Sequence, residues 1–139
     1  MPTSNIDAAL ARSFEHASAE LIARVRDAIQ AFNASPPQGS ETWEAWRTPK
    51  PWETRVLPNL QRYHSDLQKA LRAYDAGDIM PITLAAAGYA GLSKDLEFDM
   101  SWMTEQNRAA VQKLVEDVVA VADRIHRLGY DVLKSTGRA

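Results

Sequence analysis

From residue 5 to residue 33, apolar side chains return every three or four places: Ile6, Leu10, Phe14, Ala17, Leu21, Val25, Ala28 and Phe32. That step marks one face of an α-helix. The pattern predicts a helix over 5–33, capped by Thr3 or Ser4 and ended by Ser35-Pro36-Pro37. A second helix is predicted over 53–76, with Leu57, Leu60, Leu67, Leu71 and Tyr74 on its stripe. Pro58 is tolerable there because it falls close to the start, and Gly77 is a natural stop. Asp78 then caps a third, shorter helix with Pro81 near its beginning. Ile79, Ile82, Leu84, Ala85, Ala86, Ala87, Tyr89, Ala90 and Leu92 leave this helix almost no polar face, so it is expected to be buried on all sides. Its Gly88 and Gly91 are expected to let neighbouring backbones come close, at a cost in helix propensity.

The fourth helix starts between Asp99 and Thr104. Val111, Leu114, Val118, Val121, Ile125, Leu128 and Val132 alternate three and four apart, the seam of a left-handed helix pair. Val115 and Ala122 widen that seam, which favours a globular bundle over a free-standing coiled coil; Gly129 is placed to end or kink the helix. The first and last helices would each be about 40 Å long. The fold class expected is therefore all-α: a four-helix bundle over residues 1–139 as a single domain, two long outer helices and two shorter inner ones, with a Trp/Pro-rich connection after the first. Period-two alternation occurs only at Leu96-Glu97-Phe98-Asp99-Met100, read as an extended approach to the fourth helix.

Length and composition support this reading. A chain of 139 residues with 45% hydrophobic and 24% charged residues is ordinary globular material. No apolar run reaches the roughly 18 residues of a membrane span, and the N-terminus has no basic-then-apolar secretory pattern. The absence of cysteine excludes disulfides, thiolate metal sites and cysteine nucleophiles. A cytoplasmic protein without membrane contact fits these features. Net charge is −2, which gives no electrostatic support for direct nucleic-acid binding. The charge is segregated: within 77–105, Asp78, Asp95, Glu97, Asp99 and Glu105 face Lys94 alone.

Two stretches qualify as contact surfaces. In the first, ETWEAWRTPKPWE over 41–53, three of the four tryptophans lie beside Pro49 and Pro51. Ser40 caps a single turn that sets Trp43 and Trp46 on one side, and Thr48-Pro49-Lys50-Pro51 forces extended backbone that presents Trp52 separately. Either these indoles close one end of the bundle, each burying on the order of 200 Å², or some stay accessible as interface anchors. The second stretch mixes carboxylates with large apolar groups: Asp95, Glu97, Phe98, Asp99 and Trp102. Such a surface offers a partner both desolvation and charge steering. The competing reading turns Leu96, Phe98, Trp102 and Met103 inward and leaves the carboxylates solvated at the next helix's start.

Catalytic chemistry has less support. There is no G-x-S-x-G, H-E-x-x-H, phosphate-cradling or dinucleotide-binding motif. His16, His64 and His126 lie on three different helices; His64 shares the stripe of Leu57, Leu60, Leu67 and Leu71 and faces the core or its margin. Asp123 and His126 have i, i+3 spacing, but the second such pair of a carboxylate-bridged metal bundle is missing. No cofactor or metal is expected.

The reading is thus a non-enzymatic protein-binding module of the inhibitor, immunity-protein, antitoxin, chaperone or adaptor kind. It would contact a more basic protein, toxin- or effector-like, through Asp95, Glu97, Phe98, Asp99, Trp102, Trp43, Trp46 and Trp52. The alternative is a small-ligand or metal-dependent enzyme with its site inside the bundle near His64, Tyr63, Tyr89 or His126. A homodimer through the fourth helix is compatible with either.

Overall fold

Asp7, two residues into the described chain, opens the first helix: its carboxylate accepts the Leu10 N–H at 2.7 Å. The computed structural model describes residues 6–137, Glu97 excepted, with the backbone alone for Ser93 and Asp95. Helix α1 (Ala8–Ala34) therefore starts later than the apolar stripe suggested, because the Asp7 side chain takes up a free N–H there; Thr3 and Ser4 lie outside the described residues. A long connection leads to a single π turn, Trp52–Val56, which runs straight into α2 (Leu57–Asp75). Then follow α3 (Met80–Tyr89), the short turn α4 (Leu92–Asp95) and α5 (Glu105–Ser135). Four helices pack together: α1 lies against α5 and α2, and α3 lies against α5 and α2. Among the described residues there is no strand: Leu96 lies in a turn and Phe98 in a bend, where the alternation suggested extended chain, and Glu97 lies outside the described residues.

Local chemistry accounts for the other boundaries. Gly77 adopts φ +95° and donates to Tyr74 O at 2.9 Å, while Asp78 N–H reaches Ala73 O at 2.9 Å. This pair of bonds is a Schellman stop. Asp78 Oδ1 accepts the Met80 N–H at 3.1 Å as α3 begins. Thr104 caps α5 through Asn107 N–H at 3.1 Å.

The π turn follows from Pro58. In a regular α-helix the proline ring would press on the carbonyl of Thr54. The turn ahead of it is wider instead, with the Leu57 N–H donating to Trp52 O five residues back. Lys50-Pro51, expected to be extended, is already helical: Pro51 has φ −62° and ψ −32°, and the Glu53 N–H donates to Pro49 O at 2.9 Å. A proline's fixed φ suits a helix's first turn, and that preference prevails here over its bias on the preceding residue.

The core draws on all four helices and on Trp52, its largest fully buried side chain. On α5 the inward line is Val111, Val115, Val118, Ala122, Ile125, Gly129 and Leu133, while Leu114, Val121 and Leu128 are only half-buried. The wider stripe of a bundle wins over the two-per-heptad seam. Gly129 does not end α5, which runs on to Ser135; a Cβ built there would lie 2.0 Å from Thr83 Oγ1. The close approach between α3 and α5 therefore occurs at Gly129 on α5. Gly88 of α3 and Gly91 just beyond its end, expected to supply it, have no atom within 4 Å of a built Cβ.

Nor is α3 buried all round. Ile82, Thr83, Ala86 and Tyr89 face inward, but Leu84 is 64% exposed, and Ala87 and Gly88 also face out.

Candidate functional site

The three tryptophans of the connection have three different fates. Trp52 is fully buried, and its indole N–H donates to Asp99 O at 3.1 Å. Trp43 is half-buried with its ring 6.1 Å from that of Phe32. Trp46 stands 52% exposed on the 3-10 turn Ala45–Arg47. Its N–H is taken by the Glu44 carboxylate and the Arg47 guanidinium lies 4.9 Å from its ring centroid. The turn is pinned by Thr48 Oγ1 donating to Ala45 O at 2.7 Å.

Trp102, from the acidic stretch, is only 3% exposed. It sits edge-on to both Trp52 (6.0 Å) and Phe32 (6.1 Å). Among the described residues its Nε1 is a buried side-chain polar atom without a hydrogen-bond partner. Trp43, Phe32, Trp102 and Trp52 thus form one run of aromatic contacts. The two stretches that the sequence suggests as separate surfaces meet as one joint, and indoles supply its interior. Trp52 and Trp102 are core residues and drop out of any accessible surface; burying rings this large outweighs their use as anchors.

Of the three acidic residues in this stretch, Asp99 is the one whose side chain is described. Asp99 is half-buried, and its carboxylate accepts the Ser101 N–H at 3.1 Å and the Ser101 hydroxyl at 2.6 Å. It is engaged in closing its own turn. Glu97 and the Asp95 side chain lie outside the described residues. Phe98 is half-buried and, with Trp46, Lys50, Pro51, Thr54 and Arg55, lines a surface groove of about 340 Å³. Among the described side chains of the residues proposed from sequence, Trp46 and Phe98 line this surface groove together.

The interior-site alternative is partly assembled. Ser18 Oγ lies 3.0 Å from His64 Nδ1 and 2.5 Å from the Tyr89 hydroxyl, joining α1, α2 and α3. The Tyr63 ring is 5.5 Å from Tyr89. His126, by contrast, stands beside Tyr130 on α5, and His16 pairs with Glu20 on α1. Ser18 and Tyr89 are 2% and 1% exposed; no reactant reaches either hydroxyl in this arrangement. Burial pushes the Tyr89 phenol up to about 12, so it stays a neutral O–H within its network. The geometry suits a polar clasp between helices. Among the described residues no group of three or more His, Cys, Asp or Glu is assembled to hold a metal ion.

A further surface lies on α3, where the residue pattern predicts burial. The outward stripe of α3, Leu84, Ala87 and Gly88, keeps three- and four-residue spacing without a polar side chain and is followed by the exposed Gly91 just past the helix. On one side it borders a groove of about 500 Å³ against α2, rimmed by Asp66 and Lys69. On the other lies a groove of about 420 Å³ against α5, floored by Val115 and Val119 and rimmed by Glu116 and Asp123. The expectation that this nearly all-apolar helix is buried on all sides is corrected: the neighbouring helices cover one side of it.

No helix among the described residues is long and apolar enough to cross a membrane. No family model matches the chain, and no curated protein or solved structure shows significant similarity to it.

Proposed function

We propose that this chain is a non-enzymatic protein-binding module, of the inhibitor or adaptor kind, that docks through the outward face of α3. The observation that carries the reading is a mismatch. α3 has almost no polar face, as helices covered on every side have, yet the neighbouring helices cover only one side and leave Leu84 at 64% exposure. A second protein laid over Leu84, Ala87 and Gly88 resolves the mismatch. The small residues allow close helix approach, and the flanking grooves accept the partner's larger side chains.

The rim supports the sign of the partner. Asp66, Glu116 and Asp123 outnumber Lys69 around the two grooves, and the Asp123 carboxylate is already paired with Arg127. An apolar centre with an acidic margin matches a partner with an apolar centre and a basic margin. The basic-partner expectation is kept in this form, carried by the α3 rim instead of by residues 95–99.

The test is co-purification from the native host with the wild-type chain and a Leu84→Asp variant side by side, followed by titration with the recovered protein. Docking on α3 predicts affinity reduced by about a hundredfold or more in the variant, the scale of a hot-spot loss. It also predicts slowed hydrogen exchange in α3 on binding, and slower association for Asp66→Asn with Glu116→Gln. A partner that binds the Leu84→Asp chain as tightly as wild type removes the reading.

A further inference from the structure

We propose that the groove between Trp46 and Phe98 is a second docking site, separate from the α3 face, that takes up an acidic segment of a partner protein. An apolar side chain of that segment would seat between the two rings, and its carboxylates would lie on Lys50 and Arg55.

The occupant is argued from the walls. Trp46, Pro51 and Phe98 supply the apolar surface, and Lys50 and Arg55 are the charged residues that line it. Among the described residues no carboxylate pairs with either cation. Among the described residues, two neighbouring acids are engaged elsewhere: Glu44 with the Trp46 N–H, and Glu53 with Asn33 Nδ2 at 3.0 Å. The Arg47 guanidinium against the Trp46 ring adds a third positive group. An apolar slot flanked by unpaired cations selects a segment with carboxylates beside a hydrophobic anchor and disfavours a basic one.

The site is also built to hold its shape. Trp46 stands on a turn closed by its own hydrogen bonds, so little side-chain freedom is lost on binding. Thr54 and Arg55 belong to the π turn Trp52–Val56. Its extra width turns these side chains away from where an α-turn would point them, a local irregularity that recurs at functional sites.

The experiment uses the full chain and three short synthetic peptides with the same two apolar residues, flanked by Glu, by Gln or by Lys. Binding is followed by the Trp46 indole N–H resonance, assigned by its loss in Trp46→Phe. The Glu peptide is expected to shift this signal, leave the buried Trp52 and Trp102 indoles in place, and bind about tenfold or more tightly than the Gln peptide. Its affinity should fall as salt rises. Lys50→Glu with Arg55→Glu should reverse the preference toward the Lys peptide. The Leu84→Asp chain should bind the Glu peptide as wild type does, so failure of the α3 reading and failure of this one are told apart. Equal binding of the three peptides, or no binding of any, overturns the proposal. So does binding that survives Trp46→Ala, preference for a single-stranded oligonucleotide over the Glu peptide, or a Trp46 signal that shifts with the chain's own concentration through self-association.

Discussion

The indole N–H of Trp52 donates to the carbonyl oxygen of Asp99 at 3.1 Å, although 47 residues separate the two in sequence. Through this bond the connection after α1 and the approach to α5 share one interior. The Trp46–Phe98 groove is the outer edge of the same joint, so the rigidity of the exposed pair depends on the buried one.

Trp52→Phe keeps most of the ring but leaves the Asp99 carbonyl without this donor. A loss of about 1–3 kcal/mol in unfolding free energy is expected. Trp52→Ala, which also opens a cavity, should cost about 3–5 kcal/mol. Urea unfolding followed by circular dichroism measures both; a Trp52→Phe midpoint equal to wild type would mean that the bond contributes nothing.

Gly129→Ala would help an isolated helix by about 0.5–1 kcal/mol. In this fold it is expected to destabilise by about 1–3 kcal/mol, because the new methyl meets Thr83 Oγ1 at 2.0 Å and Thr83 Cγ2 at 2.9 Å. Thr83→Ala removes both of these atoms, so the double variant should recover part of the loss. Thermal melts of the two single variants and the double variant test the coupling, which would be zero if α3 and α5 do not meet here.

Tyr89 gives stability a dependence on alkaline pH. Unfolded, its phenol ionises near the ordinary 10.0, whereas folded it holds its proton to about 12, chiefly because it is buried. Between those values the unfolded chain carries fewer protons than the folded one, so stability falls as pH rises. The contribution is on the order of 2 kcal/mol across the window. It is intact below about pH 10 and lost by about pH 12. Unfolding free energies of wild type and Tyr89→Phe, compared between pH 9 and 12, should converge as pH rises; parallel profiles would refute the assignment.

Much of the helical content was legible because its signals are local. The Leu60, Leu67 and Leu71 stripe, the Gly77 stop and the α5 stripe depend on periodicity and on backbone freedom within a few residues. The misplaced details came from competition. Asp7 takes the cap assigned to Thr3 or Ser4, Pro51 enters a helix instead of breaking one, and the close-approach glycine is Gly129 because only the crossing of two helices decides where backbones meet.

The candidate surfaces were less legible, for a related reason. Residue type identifies a large ring but not the side of the chain on which the core will form: Trp46 and Trp52 come from the same short stretch, yet one is half exposed and the other sealed. Asp99 looked like part of a steering patch, but a turn with Ser101 occupies its carboxylate.

By itself the sequence determined that this protein is all helical, where its long helices run, and that α3 has almost no polar face. Those properties follow from spacing and side-chain chemistry along the chain. Only the tertiary structure decided that the aromatic stretches share one interior, that Ser18, His64 and Tyr89 meet, and that Leu84 and Trp46 remain outside. The physical reason is that burial is set by which surfaces far apart in sequence close on each other, and a four-helix domain of this size has too few faces to cover every apolar side it contains.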